Sequence, residues 1–275
     1  MSNKGASCRE RIASEFNLFF LALSFFSRIP TPKSMIYSPT LLNQANRYFS
    51  LVGLLLALIQ GGFFLLFIQI LPASIAVILM LTAGFVLTGA FHEDGLADMA
   101  DGIGGGLSIE QRLTIMKDSR VGSYGVLTLV TILALKYLLL LELAQTGYLY
   151  SGNHLFFLVC LMLGFALSRA VAASLIINTA YVSEKNSSKS SLVASAQRPQ
   201  ELLILFCVAL LPAFYFSLYE ILSVLLLLFI FRKLFRTWLI DKIAGITGDC
   251  LGAAQQIGEI IIYIVLLASL TLNPS

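Results

Sequence analysis

The chain has 275 residues, 58% apolar and only 12% charged, where soluble domains carry about 25% charged residues. With a mean hydropathy of +0.87, these proportions exclude a water-soluble globule and mark a polytopic membrane protein. Runs such as 51–71 carry no charge and no apolar/polar alternation, which excludes a transmembrane β-barrel; only helices then satisfy the backbone in lipid. The net charge of +3, from 18 Lys and Arg against 15 Asp and Glu, implies no nucleic-acid partner. Cys8, Cys160, Cys207 and Cys250 have neither zinc nor redox spacing and read as ordinary buried thiols.

In chain order, Lys4, Arg9 and Arg11 precede an apolar run at 16–26 of signal-peptide length, but no small-x-small cleavage site follows it. The run leads instead into Ser27-Arg28-Ile29-Pro30-Thr31-Pro32-Lys33, so 14–27 is expected to be an interfacial or re-entrant helix. Hydropathy then predicts an all-α transmembrane bundle of about seven spans, near 47–71, 75–91, 121–143, 154–180, 202–218, 220–236 and 256–272. Segment 202–236 admits two short helices turning near 212–220 or one long bent helix. Connections at 72–74, 144–153 and 219 carry no Lys or Arg, whereas 1–46, 92–120, 181–201 and 237–255 carry nearly all of it. The positive-inside rule therefore puts these charged loops and the N-terminus in the cytoplasm and the C-terminus outside. The Ser-rich 181–201 reads as a flexible cytoplasmic linker within a single integral-membrane domain, 1–275. No internal repeat of the kind found in two-halved transporters is evident.

The block from Gly89 to Gly106 breaks the lipid pattern with Glu93, Asp94, Asp98 and Asp101, four carboxylates within nine residues. If the second span continues as a helix through them, Asp94, Asp98 and Asp101 stand at i, i+4 and i+7 on one stripe, with Glu93 on its flank. At an effective dielectric near 20, carboxylates about 5 Å apart repel by roughly 3 kcal/mol, which a bound cation relieves. The donors are hard oxygens, which points to Mg²⁺ or Mn²⁺, and magnesium shares its coordination readily with phosphate oxygens. A phosphorylated substrate follows. Downstream, Lys117 and Arg120 are candidates for phosphate contacts, the competing reading being the positive-inside rule alone. Arg169 lies inside an apolar span and needs an anion, either a protein carboxylate or a substrate phosphate. Lys136 is expected to snorkel outward. Asp249 and Glu259, in a second acidic island beside Gly248, Gly252 and Ala253, are expected to complete a metal site, to orient a second substrate or simply to start a helix. His92 abuts the acids, and His154 falls on the far side.

Five separated motifs together resemble the cobalamin synthase (adenosylcobinamide-GDP ribazoletransferase) family: Phe26-Ser27-Arg28-Ile29-Pro30, the Glu93–Gly102 block, Lys117 through Gly125, Ser168-Arg169-Ala170, and Thr247 through Ala253. The likeness runs in order from about 16 to 260 and fails only in the first fifteen residues and the Ser-rich linker. It implies an Mg²⁺-dependent enzyme of the bacterial inner membrane, with its active site facing the cytoplasm. Such an enzyme joins adenosylcobinamide-GDP to α-ribazole, or to its 5′-phosphate, and releases GMP. Its metal would be held by Glu93, Asp94, Asp98 and Asp101, with Asp98 and Asp101 catalytic and Asp101 the favoured proton acceptor. Arg28, Lys117, Arg120, Arg169 and Asp249 would bind substrate. The resemblance leaves open a homo-oligomer or association with other late cobalamin enzymes. CDP-alcohol phosphatidyltransferases arrange aspartates similarly, but their motif has an Arg where Asp98 stands. An ion-coupled transporter is a further alternative, although it predicts acids near midplane rather than at one boundary.

Overall fold

The computed structural model describes residues 8–177, 179–182 and 199–272, and apart from one isolated β-bridge their regular structure is helical. Most of the expected linker 181–201 lies outside the described residues. The N-terminal helix α1 (Cys8–Phe26) is longer than the expected 14–27 and buries Leu18, Leu21, Ala22 and Phe26 in the common core. Glu15 ties it to the next element, accepting from the Tyr48 hydroxyl at 2.7 Å and pairing with Arg47 at 3.3 Å. Ser38 caps α2 (Pro39–Gln44), with a proline suited to the first turn, and a 3₁₀ turn leads into α3 (Phe49–Phe67).

The expected second span ends early. Helix α4 (Ala73–Thr88) stops where Gly89 (φ 68°) and Ala90 (φ 55°) both adopt left-handed backbone, and α5 (Phe91–Gly105) leaves at 86° to it. The acidic residues therefore occupy a separate helix, not a continuation of the span. Glycine tolerates the left-handed region freely, whereas Ala90 gives up about 1 kcal/mol there.

Helix α6 (Ile109–Ile115), capped by Ser108, precedes the long α7 (Ser123–Ser151) and α8 (Leu155–Ser174). Over 202–236 the chain forms two helices: α9 (Pro199–Ala209), extended by a 3₁₀ turn at Leu211–Tyr215, and α10 (Leu218–Ile243), which starts at a Ser217–Glu220 capping box. The last helix, α11 (Gly248–Leu272), is central and packs on α5, α7, α8 and α10. Its start is pinned by the bridge between Tyr181 and Ile246 and by the Gly248 amide donating to the Tyr181 hydroxyl at 3.1 Å.

Among the described residues four helices are long and apolar enough to cross a membrane: Pro39–Phe67, Ser123–Ser151, Leu155–Ser174 and Gly248–Leu272. A fifth arises if the bent α4–α5 pair counts as one span. The helical stretch at 200–215 is shorter, and Glu220, Arg232, Lys233 and Arg236 interrupt the apolarity of α10. The two ends of the bundle differ in charge. At one end Phe64, Tyr148, His154, Phe156, Tyr215 and Phe216 meet in ring contacts, and the turns there carry no Lys or Arg. At the other, arginines close helix C-termini: Arg232 donates to Ser174 Oγ and O, both at 2.7 Å, and Arg112 donates to the Lys242 carbonyl at 2.7 Å. Cys160 and Cys250 are buried as expected, whereas Cys207 is exposed on α9, where the apolar surface faces outward.

Candidate functional site

The acidic helix α5 lies across the start of α11, and two glycines set how closely they approach. A Cβ on Gly95 would come within 3.0 Å of Asp249 Cα, and one on Gly252 within 3.1 Å of the His92 carbonyl oxygen. This crossing brings Asp249 to the face of α5 that carries Asp94 and Asp98, one turn apart. Asp94, Asp101 and Asp249 all act on Asp98 electrostatically. Asp94 is exposed and Asp98 and Asp249 are partly so, which leaves this face open to a ligand. Asp249 also accepts from the Thr247 hydroxyl at 3.2 Å.

The other two acids of the block face different surroundings. Asp101 is buried, and its oxygens accept from the amides of Gly122 (2.7 Å) and Gly125 (2.8 Å) at the start of α7. A helix N-terminus favours such an anion, so Asp101 fixes the position of α7 against α5. Glu93 points into the bundle interior, away from the open face. One oxygen accepts from Gln256 Nε2 at 2.8 Å, and the other is buried with no partner.

Around Glu93 lies a buried ionic network that the sequence reading did not assemble. Glu259 pairs with Lys136 (Nζ to Oε2, 2.5 Å) and with Arg169 (Nη1 to Oε1, 3.7 Å). Gln255 donates to Glu259, and Gln256 is shared between Gln255 and Glu93. Arg169 thus finds its anion in a protein carboxylate, and it also donates to the Phe165 carbonyl at 2.8 Å. The expectation that Lys136 snorkels outward is corrected: it is 3% exposed, because Glu259 offers a closer partner than the interface. Glu259 likewise joins this interior network rather than the open acidic face. The signal that was available is Gln255-Gln256 one turn before Glu259 inside an apolar helix, three polar groups that need inward partners.

The expected phosphate contacts lie at the same end of the molecule. Arg28 is exposed at the α4–α5 break: its amide donates to the Leu87 carbonyl at 2.7 Å, and its Nε would stand 2.6 Å from a Cβ on Gly89. Lys117 and Arg120 are exposed in the turn before α7. Arg120 folds onto Asp118 of its own turn (2.5 Å) and holds that carboxyl at about 2, so the pair stays ionised at physiological pH. Among the described residues no three Asp, Glu, His or Cys side chains stand together closely enough to hold a metal ion.

Comparison with known proteins accounts for nearly the whole chain. The family model described as cobalamin-5-phosphate synthase (CobS) matches residues 18–267. The adenosylcobinamide-GDP ribazoletransferase of Vibrio cholerae is 51% identical over 256 residues, 93% of this chain and 95% of its own. That of Vibrio parahaemolyticus is 44% identical over 270 residues, 98% of both chains, and that of Shewanella frigidimarina 47% over 254 residues, 92% and 95%. No solved structure matches. With a family model spanning all but its termini and relatives covered almost end to end, the chain belongs to the cobalamin-5-phosphate synthase family.

Proposed function

We propose that the open face formed by Asp94, Asp98 and Asp249 is where this adenosylcobinamide-GDP ribazoletransferase breaks the diphosphate of its corrinoid substrate. The activity follows from family membership, which sets aside the phosphatidyltransferase and transporter readings. The observation that supports the location is the glycine-mediated crossing of α5 and α11, which gathers hard-oxygen donors at one exposed face.

These donors suit magnesium. The ion typically takes one or two carboxylates and leaves its other positions to water and substrate phosphate, so an incomplete protein cage matches its habit. One or two of Asp94, Asp98 and Asp249 would hold it, and when bound it would supply positive charge to the diphosphate and the leaving phosphate oxygen. The ribazole 5′-hydroxyl attacks the phosphorus attached to cobinamide, and GMP leaves in line. Asp98, amid the other acids of this face, would accept the hydroxyl proton. Asp101, with both oxygens engaged by the Gly122 and Gly125 amides, acts by positioning α7. Glu93 orients α5 from inside the bundle through Gln256. Arg28 and Lys117, exposed at the same end, contact phosphate oxygens, and Arg120 does so when released from Asp118; Arg169 supports the pocket wall.

A seven-pass topology fits this placement, with α3, α4, α7, α8, α9 plus its 3₁₀ turn, α10 and α11 crossing in alternation. The Arg- and Lys-bearing end then faces the cytoplasm of a bacterial inner membrane, and the acidic face with it. GMP release from adenosylcobinamide-GDP plus α-ribazole, or its 5′-phosphate, tests the proposal on purified full-length chain. Release that needs Mg²⁺ and falls at least a hundredfold in a folded Asp98→Asn variant supports it; normal turnover by that variant rejects the site.

A further inference from the structure

A second cavity opens beside the α5–α11 crossing and is almost wholly apolar. Phe25, Phe26, Phe49 and Phe91 line it, with His92, Arg169 and Gln255 as its polar members. The rings already meet edge to face: Phe26 and Phe49 have centroids 4.3 Å apart at 84°, and Phe25 and Phe91 5.4 Å apart at 73°. The His92 ring lies parallel to Phe26 at 5.4 Å and is only 4% exposed, yet no hydrogen bond among the described residues engages its nitrogens. Arg169 spends Nη1 on Glu259 and Phe165, leaving its buried Nε without a partner. The cavity adjoins the acidic site at one point, where its lining residue Gly248 precedes Asp249.

We propose that this cavity receives the benzimidazole base of the ribazole co-substrate, a reading that rests on the transferase activity above. A flat, fused aromatic base matches a phenylalanine-lined slot, where stacking supplies most of the affinity. Its one free ring nitrogen is an acceptor, which a ring N–H of His92 in the wall suits. The other ring systems in the reaction fit poorly. Guanine carries several donors and acceptors around its edge, most of which such a slot would leave unpaired, and the corrin bears a rim of amides with the same difficulty. With the base in this cavity, the ribose and its 5′-hydroxyl lead toward the neighbouring carboxylates.

Two variants of the purified full-length chain test this. Phe91, at 39% exposure, forms the mouth, so Phe91→Ala removes a stacking face with little risk to the fold; Ala173→Leu fills the cavity from α8. The expected result for each is a KM for α-ribazole raised about tenfold, with the KM for adenosylcobinamide-GDP changed less than twofold. Equilibrium dialysis of α-ribazole against wild-type chain should show competition by other benzimidazole nucleosides and none by guanosine. An active, folded Phe91→Ala variant with unchanged ribazole KM, or one in which only the corrinoid KM rises, overturns the base site while leaving the transferase reading intact. A phospholipid acyl chain retained in the cavity and undisplaced by α-ribazole, seen by native mass spectrometry, also overturns it. A wild-type chain that releases no GMP overturns both.

Discussion

Removing one charge from the buried network should destabilise the bundle far more than removing a matched pair. Lys136, Arg169 and Glu259 are each no more than 3% exposed, and with Glu93 they balance two cations against two anions. Glu259→Gln leaves Lys136 and Arg169 facing Glu93 alone, across Gln256. Lys136→Met leaves two carboxylates to share Arg169. Breaking one partner of a buried pair costs about 3–5 kcal/mol, because the remaining charge stays desolvated. The double variant removes one charge of each sign, so its loss should fall short of the sum by about 1–3 kcal/mol. Thermal unfolding of the detergent-solubilised full-length chain reads this, with single-variant midpoints lowered by about 6–12 °C. Strictly additive single effects below about 1 kcal/mol would refute the network as an interior charge balance.

Other substitutions probe the geometry around the acids. Gly95→Ala gains about 1 kcal/mol of helix propensity but places a methyl 3.0 Å from Asp249 Cα. Transferase activity should therefore drop at least tenfold while the melting temperature changes little, and full activity would show that the crossing need not be close. Asp101→Ala leaves two amides at the start of α7 without their carboxylate and should cost about 1–3 kcal/mol of stability. Asp101→Asn, which keeps one acceptor oxygen, should recover part of that loss and part of the activity; equal inactivity of the two folded variants would instead assign Asp101 a direct chemical role.

The helical, membrane-embedded character of the chain was readable in its hydropathy because lipid leaves the backbone few alternatives. The shared face of Asp94 and Asp98 was readable from their spacing, whereas Asp101, expected on the same stripe, turns to the amides of Gly122 and Gly125; over 202–236 the sequence admitted two helices or one bent helix, and the Ser217–Glu220 capping box starts a second helix. Other features depended on partners distant in sequence. Glu93 is adjacent to Asp94 but turned about 100° around the helix, and only Gln256, 163 positions away, shows that it faces inward. Lys136 was assigned outward because an apolar span by itself offers a lysine no partner, whereas Glu259 sits 2.5 Å from it in the folded bundle. At the α4–α5 break, Gly89 followed by an apolar segment is a recognisable helix stop, but nothing in the sequence marks Ala90 for left-handed backbone.

The most direct test of the central claim is Mn²⁺ binding to the intact purified chain, followed by electron paramagnetic resonance in the presence of adenosylcobinamide-GDP. The account predicts saturable binding at the Asp94, Asp98 and Asp249 face that is lost in a folded Asp98→Asn variant and kept in Phe91→Ala. Undiminished binding by Asp98→Asn, or no binding by the wild-type chain with its nucleotide substrate present, would contradict it.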